Sequence, residues 1–176
     1  MAAETLLSIK GLSVSFSTPE GVVNAVRGAD LEIRRNEILA LLGASGSGKT
    51  ATAMSIPRLL PNNALPPGGS IVFDGTELLT LPESDMRKMR CGRIAVIFQD
   101  PANSLNPLHS VGRQVAEAVT LRRPLLSRKE TMERVIELFG VAGLPEAESR
   151  LDALPHTFSG GQRQRVMIAI LPVGIK

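Results

Sequence analysis

Apolar and polar residues follow two kinds of pattern in the first hundred residues. Loose alternation, typical of strands with one exposed face, predicts strands at residues 6–16, 22–26, 31–34 and 71–73. Two almost continuous apolar runs, 37–42 and 94–100, are typical of parallel strands buried on both faces, and the second ends in polar residues. Thr18-Pro19-Glu20-Gly21 and Asp74-Gly75 have the composition of turns.

Further along the chain, apolar residues recur at helical spacing. One stripe consists of Val111, Val115 and Val119. A second helix is predicted to begin at Ser127, because Glu130 follows three residues later and completes a capping box. The apolar positions of that helix are Met132, Val135, Ile136 and Phe139. We expect Gly140 to end the helix and the two apolar faces to bury each other in a small helical subdomain.

The apolar run at 37–42 leads into Gly43-Ala44-Ser45-Gly46-Ser47-Gly48-Lys49-Thr50, which fits G-x-x-x-x-G-K-[ST] at every fixed position. Residues 50–56 can continue as a helix, which Pro57 is expected to stop. Glycines let main-chain N–H groups close around an anion, and a helix N-terminus adds unpaired donors and a partial positive charge. The segment therefore predicts a phosphate-binding loop.

A second helix start with similar chemistry lies near the end of the sequence. Ser159 is placed to cap a helix through Ile170, and Gly160 and Gly161 allow another backbone or ligand to come close. A Ser-Gly-Gly turn alone is a weak signal. Together with a phosphate-binding loop in the same chain, it indicates a second anion-binding helix start.

Composition narrows the class of protein. The 176 residues include 20 basic and 17 acidic side chains, a mild balance without a basic stripe, so no nucleic-acid partner is expected. The single Cys91 excludes an internal disulfide. The first ten residues lack the apolar core of a signal peptide, and no apolar run approaches the roughly 20 residues that cross a bilayer. We expect any work at a membrane to depend on another chain.

These motifs together resemble the nucleotide-binding subunits of ATP-binding cassette (ABC) transporters, from about residue 6 to residue 170. Three segments are similar to the importers of oligopeptides, dipeptides and nickel: residues 97–107 around Gln99, Pro155-His156 before the second helix start, and 163–169 after it. The resemblance implies an α/β P-loop fold with an antiparallel β layer, a mostly parallel but incomplete core sheet and a helical subdomain. The implied domains are 1–98, 99–158 and 159–176.

The resemblance also implies roles for individual residues. Lys49 would contact phosphate, Thr50 would ligate Mg²⁺, and Gln99 would contact Mg²⁺ and the attacking water. Phe16 would stack on adenine, although an aromatic residue at such a position is more often part of the core. The implied contacts to ATP through the phosphate-binding loop are Gly43, Ala44, Ser45, Gly46, Ser47, Gly48, Lys49 and Thr50. The implied signature, facing the ATP of a partner subunit, is Ser159, Gly160, Gly161 and Gln162, preceded by Phe158 where leucine is commoner.

Partners and location follow from the same resemblance. A second ATP-binding subunit, identical or related, would pair head to tail with this chain. Transmembrane permease subunits would hold the pair at the cytoplasmic face of the inner membrane, and a solute-binding protein would act with them indirectly. ATP hydrolysis would drive transport of a peptide or a related small solute.

The family pattern continues into an apolar strand ending in Asp-Glu and a later histidine, whereas residues 171–176 depart from it. We therefore expect a cassette truncated after the signature, whose own hydrolysis is uncertain because no catalytic carboxylate can be assigned. Asp74 and Asp100 each follow an apolar strand, but turn chemistry favours a structural role for Asp74, and Asp100 adjoins Gln99. Two alternatives stay open: a nucleotide-binding fragment without catalysis, and a non-transport ABC ATPase.

Overall fold

The structure is a computed structural model that describes residues 4–98, 104–144, 146 and 148–171. It contains both strands and helices, as the predicted α/β class requires, and the chain divides into two compact units, Met1–Met89 and Arg90–Lys176. The strands are β1 (Thr5–Thr18), β2 (Gly21–Arg34), β3 (Gly68–Phe73) and β4 (Thr76–Glu77). The α-helices are α1 (Lys49–Ser55), α2 (Glu83–Gly92), α3 (Val111–Arg122), α4 (Arg128–Val141) and α5 (Gly160–Ile170).

The first unit is built on an antiparallel sheet with strand order β2-β1-β3-β4. The segments predicted as separate strands at 22–26 and 31–34 belong to one strand, β2, which pairs with β1 along its whole length. Continuity is possible because the ladder shifts register around Gly11 and Gly28, which adopt left-handed φ values of 58° and 75°. The turn predicted between β1 and β2 and the one at Asp74-Gly75 are both confirmed.

One face of β1 supplies much of the core of this unit. Its buried residues Leu7, Ile9, Leu12 and Val14 lie with Ile71, Leu78 and Met86 from the following elements. Exposure of these side chains is 5% or less, so each removes nearly its full apolar area from water. The β layer therefore has its own core.

The described residues of the two continuous apolar runs, 37–42 and 94–98, do not form buried strands. Residues 37–44 and 94–98 have no regular secondary structure and pair with no strand in the described part of the chain. Ile38 is 97% exposed and Leu42 88%, while Ile97 and Phe98 are close to half exposed. A parallel strand is shielded only when neighbours pair on its sides and helices cover its faces, and these runs lack such pairing among the described residues. The prediction that these two runs are buried strands is therefore wrong for the described residues.

The second unit confirms that the apolar faces of the two predicted helices bury each other, and α5 joins them. Helices α3, α4 and α5 pack around a core in which Val111, Val115, Val135, Phe139 and Val166 are at most 1% exposed. The capping box at the start of α4 is also confirmed: the Ser127 hydroxyl accepts from the Glu130 N–H, and the Glu130 carboxylate accepts from the Ser127 N–H at 2.8 Å. Hydrogen bonding of the Glu130 carboxylate to the Ser127 side chain and to the Ser127 backbone N–H lowers the pKa of Glu130.

The glycine that ends α4 is Gly143 rather than the predicted Gly140. Leu144 N–H donates to Phe139 O and Gly143 N–H donates to Gly140 O, each at 2.9 Å, which is the Schellman pattern. Gly143 has φ 73°, and only the residue in this left-handed position needs to be glycine. Gly140 lies inside the helix.

Helix α3 begins against the backbone of the segment before the signature. Val111 N–H donates to Ala153 O and Gly112 N–H donates to Leu151 O, both at 2.9 Å. A Cβ on Gly112 would lie 2.6 Å from that Leu151 oxygen. Gly112 is therefore required by close backbone approach. Among the described residues, no helix is long and apolar enough to cross a membrane.

The Glu77 carboxylate ties β4 to β3. It accepts from Ile71 N–H and Leu79 N–H at 3.0 Å each, and also from the Ser70 hydroxyl. Burial raises the pKa of Glu77, but the hydrogen bonds from Ser70 and from backbone N–H groups outweigh it and leave the pKa below its ordinary value. The ionised carboxylate thus stabilises the folded unit.

We expect Glu77→Gln to lower the free energy of unfolding at pH 7 by roughly 1 kcal/mol, since a charged acceptor is lost. A pKa that is depressed on folding contributes stability above the unfolded value and loses it as the pH falls. The difference in free energy of unfolding between the wild type and Glu77→Gln should therefore shrink below about pH 4.5, the ordinary glutamate pKa. Urea unfolding at pH 7 and pH 3.5 measures this, with Glu20→Gln in the exposed β1–β2 turn as control. Equal effects of the two substitutions at both pH values would contradict it.

Two glycine substitutions in the helical unit should act in opposite directions. Gly140→Ala meets open space inside a helix and should raise the free energy of unfolding by roughly 0.5–1 kcal/mol. Gly112→Ala collides with the Leu151 carbonyl and should lower it by roughly 1–3 kcal/mol. Urea denaturation with circular dichroism compares the two, and a stabilising Gly112→Ala would show that the close contact is not a constraint.

Candidate functional site

The predicted phosphate-binding loop forms a tight reversal between residues 43 and 48, after which α1 begins at Lys49. Ser47 N–H donates to Ala44 O at 3.2 Å and closes the turn. Gly46 and Gly48 adopt left-handed φ values of 78° and 90°, which L-residues with a Cβ rarely adopt. The motif glycines thus set the path of the loop, as the sequence predicts.

Gly48 has a second reason to be glycine. A Cβ at this position would lie 2.4 Å from the carbonyl oxygen of Ala25 in β2 and 3.2 Å from a methyl group of Val26. Gly48 is also the residue before the first helical turn, and no side chain caps that turn. The close contact therefore places the start of α1 directly against the β layer, with the first N–H groups of the helix left for a ligand.

The Lys49 side chain folds back over the loop. Its ammonium group donates to Gly43 O at 2.8 Å, to Ala44 O at 2.6 Å and to the Ser47 hydroxyl at 3.2 Å. Neutral carbonyls are weaker partners for an ammonium group than phosphate oxygens. The loop thus holds a cation at its centre that a phosphate group could attract from these carbonyls.

The hydroxyl groups of α1 have different surroundings. Thr52 donates to Gly48 O at 3.0 Å and Ser55 donates to Ala51 O at 2.7 Å, and both residues are buried. Thr50 is exposed and lines the pocket beside the loop. Thr50 is therefore the residue of this helix whose hydroxyl fits the predicted contact with Mg²⁺, a metal that takes few protein ligands and keeps phosphate and water oxygens.

A pocket of about 330 Å³ extends from the loop along α1. It is lined by Gly46, Ser47, Gly48, Lys49 and Thr50 of the motif, and by Phe16, Ala25, Ala51, Met54, Leu60 and Pro61. Phe16, the predicted adenine-stacking residue, is half-buried and lies in the same pocket as the phosphate-binding loop. The pocket thus combines polar and cationic residues with apolar ones, as a nucleotide requires.

The predicted signature starts α5 with a complete capping box. The Gln162 N–H donates to the Ser159 hydroxyl at 3.3 Å, and the Ser159 N–H donates to the Gln162 side-chain oxygen at 3.0 Å. No atom of the described residues would lie within 4 Å of a Cβ on Gly160 or Gly161. The two glycines are thus exposed at a helix N-terminus, although nothing around them in the described structure excludes a side chain.

Phe158, where leucine is commoner, belongs to the core of the helical unit. Its ring is 4% exposed, and the Arg150 guanidinium lies 5.1 Å from the ring centroid in a cation–π contact. The aromatic residue therefore anchors the signature turn to the segment before it.

Not every predicted residue can be placed. Gln99 and Asp100 lie outside the described residues. Asp74 adopts φ 46° in the turn after β3 and pairs with Arg35, which confirms its structural role. In the described part of the chain, no three His, Cys, Asp or Glu side chains come together as metal ligands. Leu60 and Pro61 also line the pocket but were not predicted to do so, because the helix breakers around them predict a loop and not where that loop folds back.

Comparison with known proteins agrees with this geometry. The model of the family described as "ABC transporter" matches residues 26–174. The oligopeptide transport ATP-binding protein OppD of Escherichia coli is 45% identical over 168 residues, which is 96% of this chain and 49% of that protein. The dipeptide transport ATP-binding protein DppD of Lactococcus lactis is 40% identical over 170 residues, 97% of this chain and 49% of the relative. The chain therefore spans about half the length of these relatives.

Solved structures of cassettes are similar as well. The ATP-binding cassette MJ0796, solved as a dimer in a post-hydrolysis state with ADP and Pi, has a TM-score of 0.80 at 27% identity, over 93% of this chain and 68% of that one. The cbiO1 protein of Clostridium perfringens, part of the transporter complex cbiONQ, has a TM-score of 0.74 at 28% identity, over 95% and 61% of the two chains. With a family model that matches residues 26–174 and a pocket at its glycine loop, this chain belongs to the ABC transporter family of ATP-binding proteins.

Proposed function

We propose that this chain is the nucleotide-binding portion of an ATPase subunit that powers a peptide importer. The observation that carries the proposal is that Phe16, Lys49 and Thr50 line the same pocket. The relatives named above are proteins of oligopeptide and dipeptide transport, which supports peptides as the transported class.

In this proposal, ATP lies along α1 with its phosphates at the glycine loop and its base against Phe16 and the other apolar residues of the pocket. The N–H groups of residues 46–50 bind the phosphates, and the Lys49 ammonium exchanges its carbonyl partners for phosphate oxygens. The Thr50 hydroxyl, together with Gln99, would hold Mg²⁺, which supplies positive charge to the developing negative charge of phosphoryl transfer. Lys49 stabilises the same charge from the protein side.

The signature is proposed to serve a second nucleotide. Gly160 and Gly161 are the first two residues of α5 and have open space around them in the described structure. Their own fold thus gives no reason for two such residues in succession. Close approach of an ATP held by another subunit explains them, since a Cβ would obstruct the N–H groups at this helix start.

The remaining partners follow from the same proposal. Two ATP-binding subunits, identical or related, pair head to tail so that each signature faces the other loop. Permease subunits bind the pair at the cytoplasmic face of the membrane, and closure around ATP changes the side to which they open. A solute-binding protein delivers the peptide to the permease.

We expect Lys49→Ala to weaken binding of ATP with Mg²⁺ by roughly 10- to 100-fold, because a charged hydrogen-bond donor to the phosphates is lost. Isothermal titration calorimetry measures the change. Lys10→Ala, at an exposed position of β1, is the control and should leave affinity unchanged. Unaltered binding to Lys49→Ala would contradict the placement of the phosphates.

We expect Gly161→Ala to distinguish the role of the signature from that of the phosphate-binding loop. The substitution should leave ATP binding at the loop intact, since it lies in the other unit, but should reduce ATP-dependent association of two chains. Sedimentation velocity with ATP and Mg²⁺ detects this, and Gly140→Ala, also a helical glycine in open space, should have no effect on association. Wild-type chain that stays monomeric with bound ATP, or a Gly161→Ala variant that associates normally, would contradict the role of the signature.

A further inference from the structure

The proline-rich loop after α1 lies against the strand that carries Phe16. Ser17 N–H donates to Asn63 O at 2.8 Å and Leu65 N–H donates to Ser15 O at 2.9 Å, and Phe16 pairs with Ala64 in an isolated antiparallel bridge. The Asn63 side-chain amide also donates to Ser17 O at 3.2 Å. The loop is therefore attached to β1 on both sides of Phe16.

The end of α1 turns the chain toward this position. Leu59 N–H donates to Met54 O at 2.9 Å and Arg58 N–H donates to Ser55 O at 3.1 Å, which is a Schellman motif. Arg58 takes the left-handed position with φ 55°, and its guanidinium donates to the carbonyls of Leu78 and Leu81. This turn brings Leu60 and Pro61 back beside Met54, and all three line the pocket that contains Phe16.

We propose that Leu60 and Pro61 form the second wall of the base slot and cover the purine on the side not stacked by Phe16. This inference rests on the proposed binding of ATP at the phosphate-binding loop and adds the residues that hold its base. An aromatic ring on one side and aliphatic carbon on the other suit a flat, uncharged heterocycle.

The apolar side chains that line the pocket also limit what the base slot can recognise. Phe16, Ala25, Met54, Leu60 and Pro61 offer no side-chain hydrogen-bond donor or acceptor apart from the weak thioether sulfur. The wall therefore contributes apolar contact to any purine and does not read the edge of the base. Loss of the wall should reduce affinity for ATP and GTP by similar factors.

The test compares Leu60→Ala with Leu59→Ala, a leucine of the same loop that is 42% exposed and does not line the pocket. The probes are ATP, GTP and inorganic tripolyphosphate, each with Mg²⁺, titrated into the full chain. We expect Leu60→Ala to weaken binding of both nucleotides by roughly threefold to tenfold, as for loss of a half-buried apolar contact, and to leave tripolyphosphate binding unchanged. Leu59→Ala should change none of the three.

The outcomes distinguish the slot from the phosphate site. Tripolyphosphate binding checks that the glycine loop of each variant is folded. The second wall is contradicted if Leu60→Ala binds ATP with wild-type affinity. It is also contradicted if the affinities of Leu60→Ala for ATP and for tripolyphosphate fall by the same factor. Wild-type chain that binds tripolyphosphate as tightly as ATP overturns the base slot while leaving the phosphate site in place. Wild-type chain that binds neither probe contradicts the proposed function, and this inference with it.

Discussion

The nucleotide site depends on a place where the backbone of the glycine loop meets the backbone of β2. At Gly48 the loop approaches the Ala25 carbonyl too closely for any side chain, and this contact fixes where α1 begins. Because Phe16 lies on β1, which pairs with β2 along its length, the same contact places the helix start at a set distance from the aromatic residue. The β layer thus supports the glycine loop, where the phosphates are proposed to bind, and carries the aromatic residue proposed to stack on the base.

The two helix starts that are proposed to face nucleotides are built in different ways. Helix α1 follows a left-handed glycine with no side-chain cap, so its first N–H groups have no partner from a capping residue. Helix α5 has a full capping box in which Ser159 and Gln162 satisfy each other's backbone N–H groups. The capping box keeps the start of α5 rigid without a ligand. The start of α1 instead has Lys49 lying over its own loop carbonyls, which a phosphate is expected to replace.

Sequence patterns that involve residues a few positions apart predicted most of the helix starts and turns. The glycine motif, the Ser127 and Ser159 caps, the turn at Asp74 and the valine stripe of α3 depend on residues a few positions apart, and the structure has all of them. Predictions failed where the outcome depends on distant backbone. Composition marked 37–42 as buried, but burial of a parallel strand requires neighbours from elsewhere in the chain. Gly140 and Gly143 are both near the end of α4, and only the backbone conformation shows which one ends it. Leu60 reaches the pocket through a left-handed arginine that no sequence rule would favour.

The open surroundings of Gly160 and Gly161 have an evolutionary consequence. Both glycines are in the first turn of α5, and no neighbour in the described structure opposes a side chain at either position. Mutation alone would therefore tend to replace both glycines in a lineage whose protein no longer meets a second nucleotide, because every such replacement would be harmless to folding. Substitution at these two positions would therefore alter the proposed encounter with a second nucleotide without a change in the packing of the described fold.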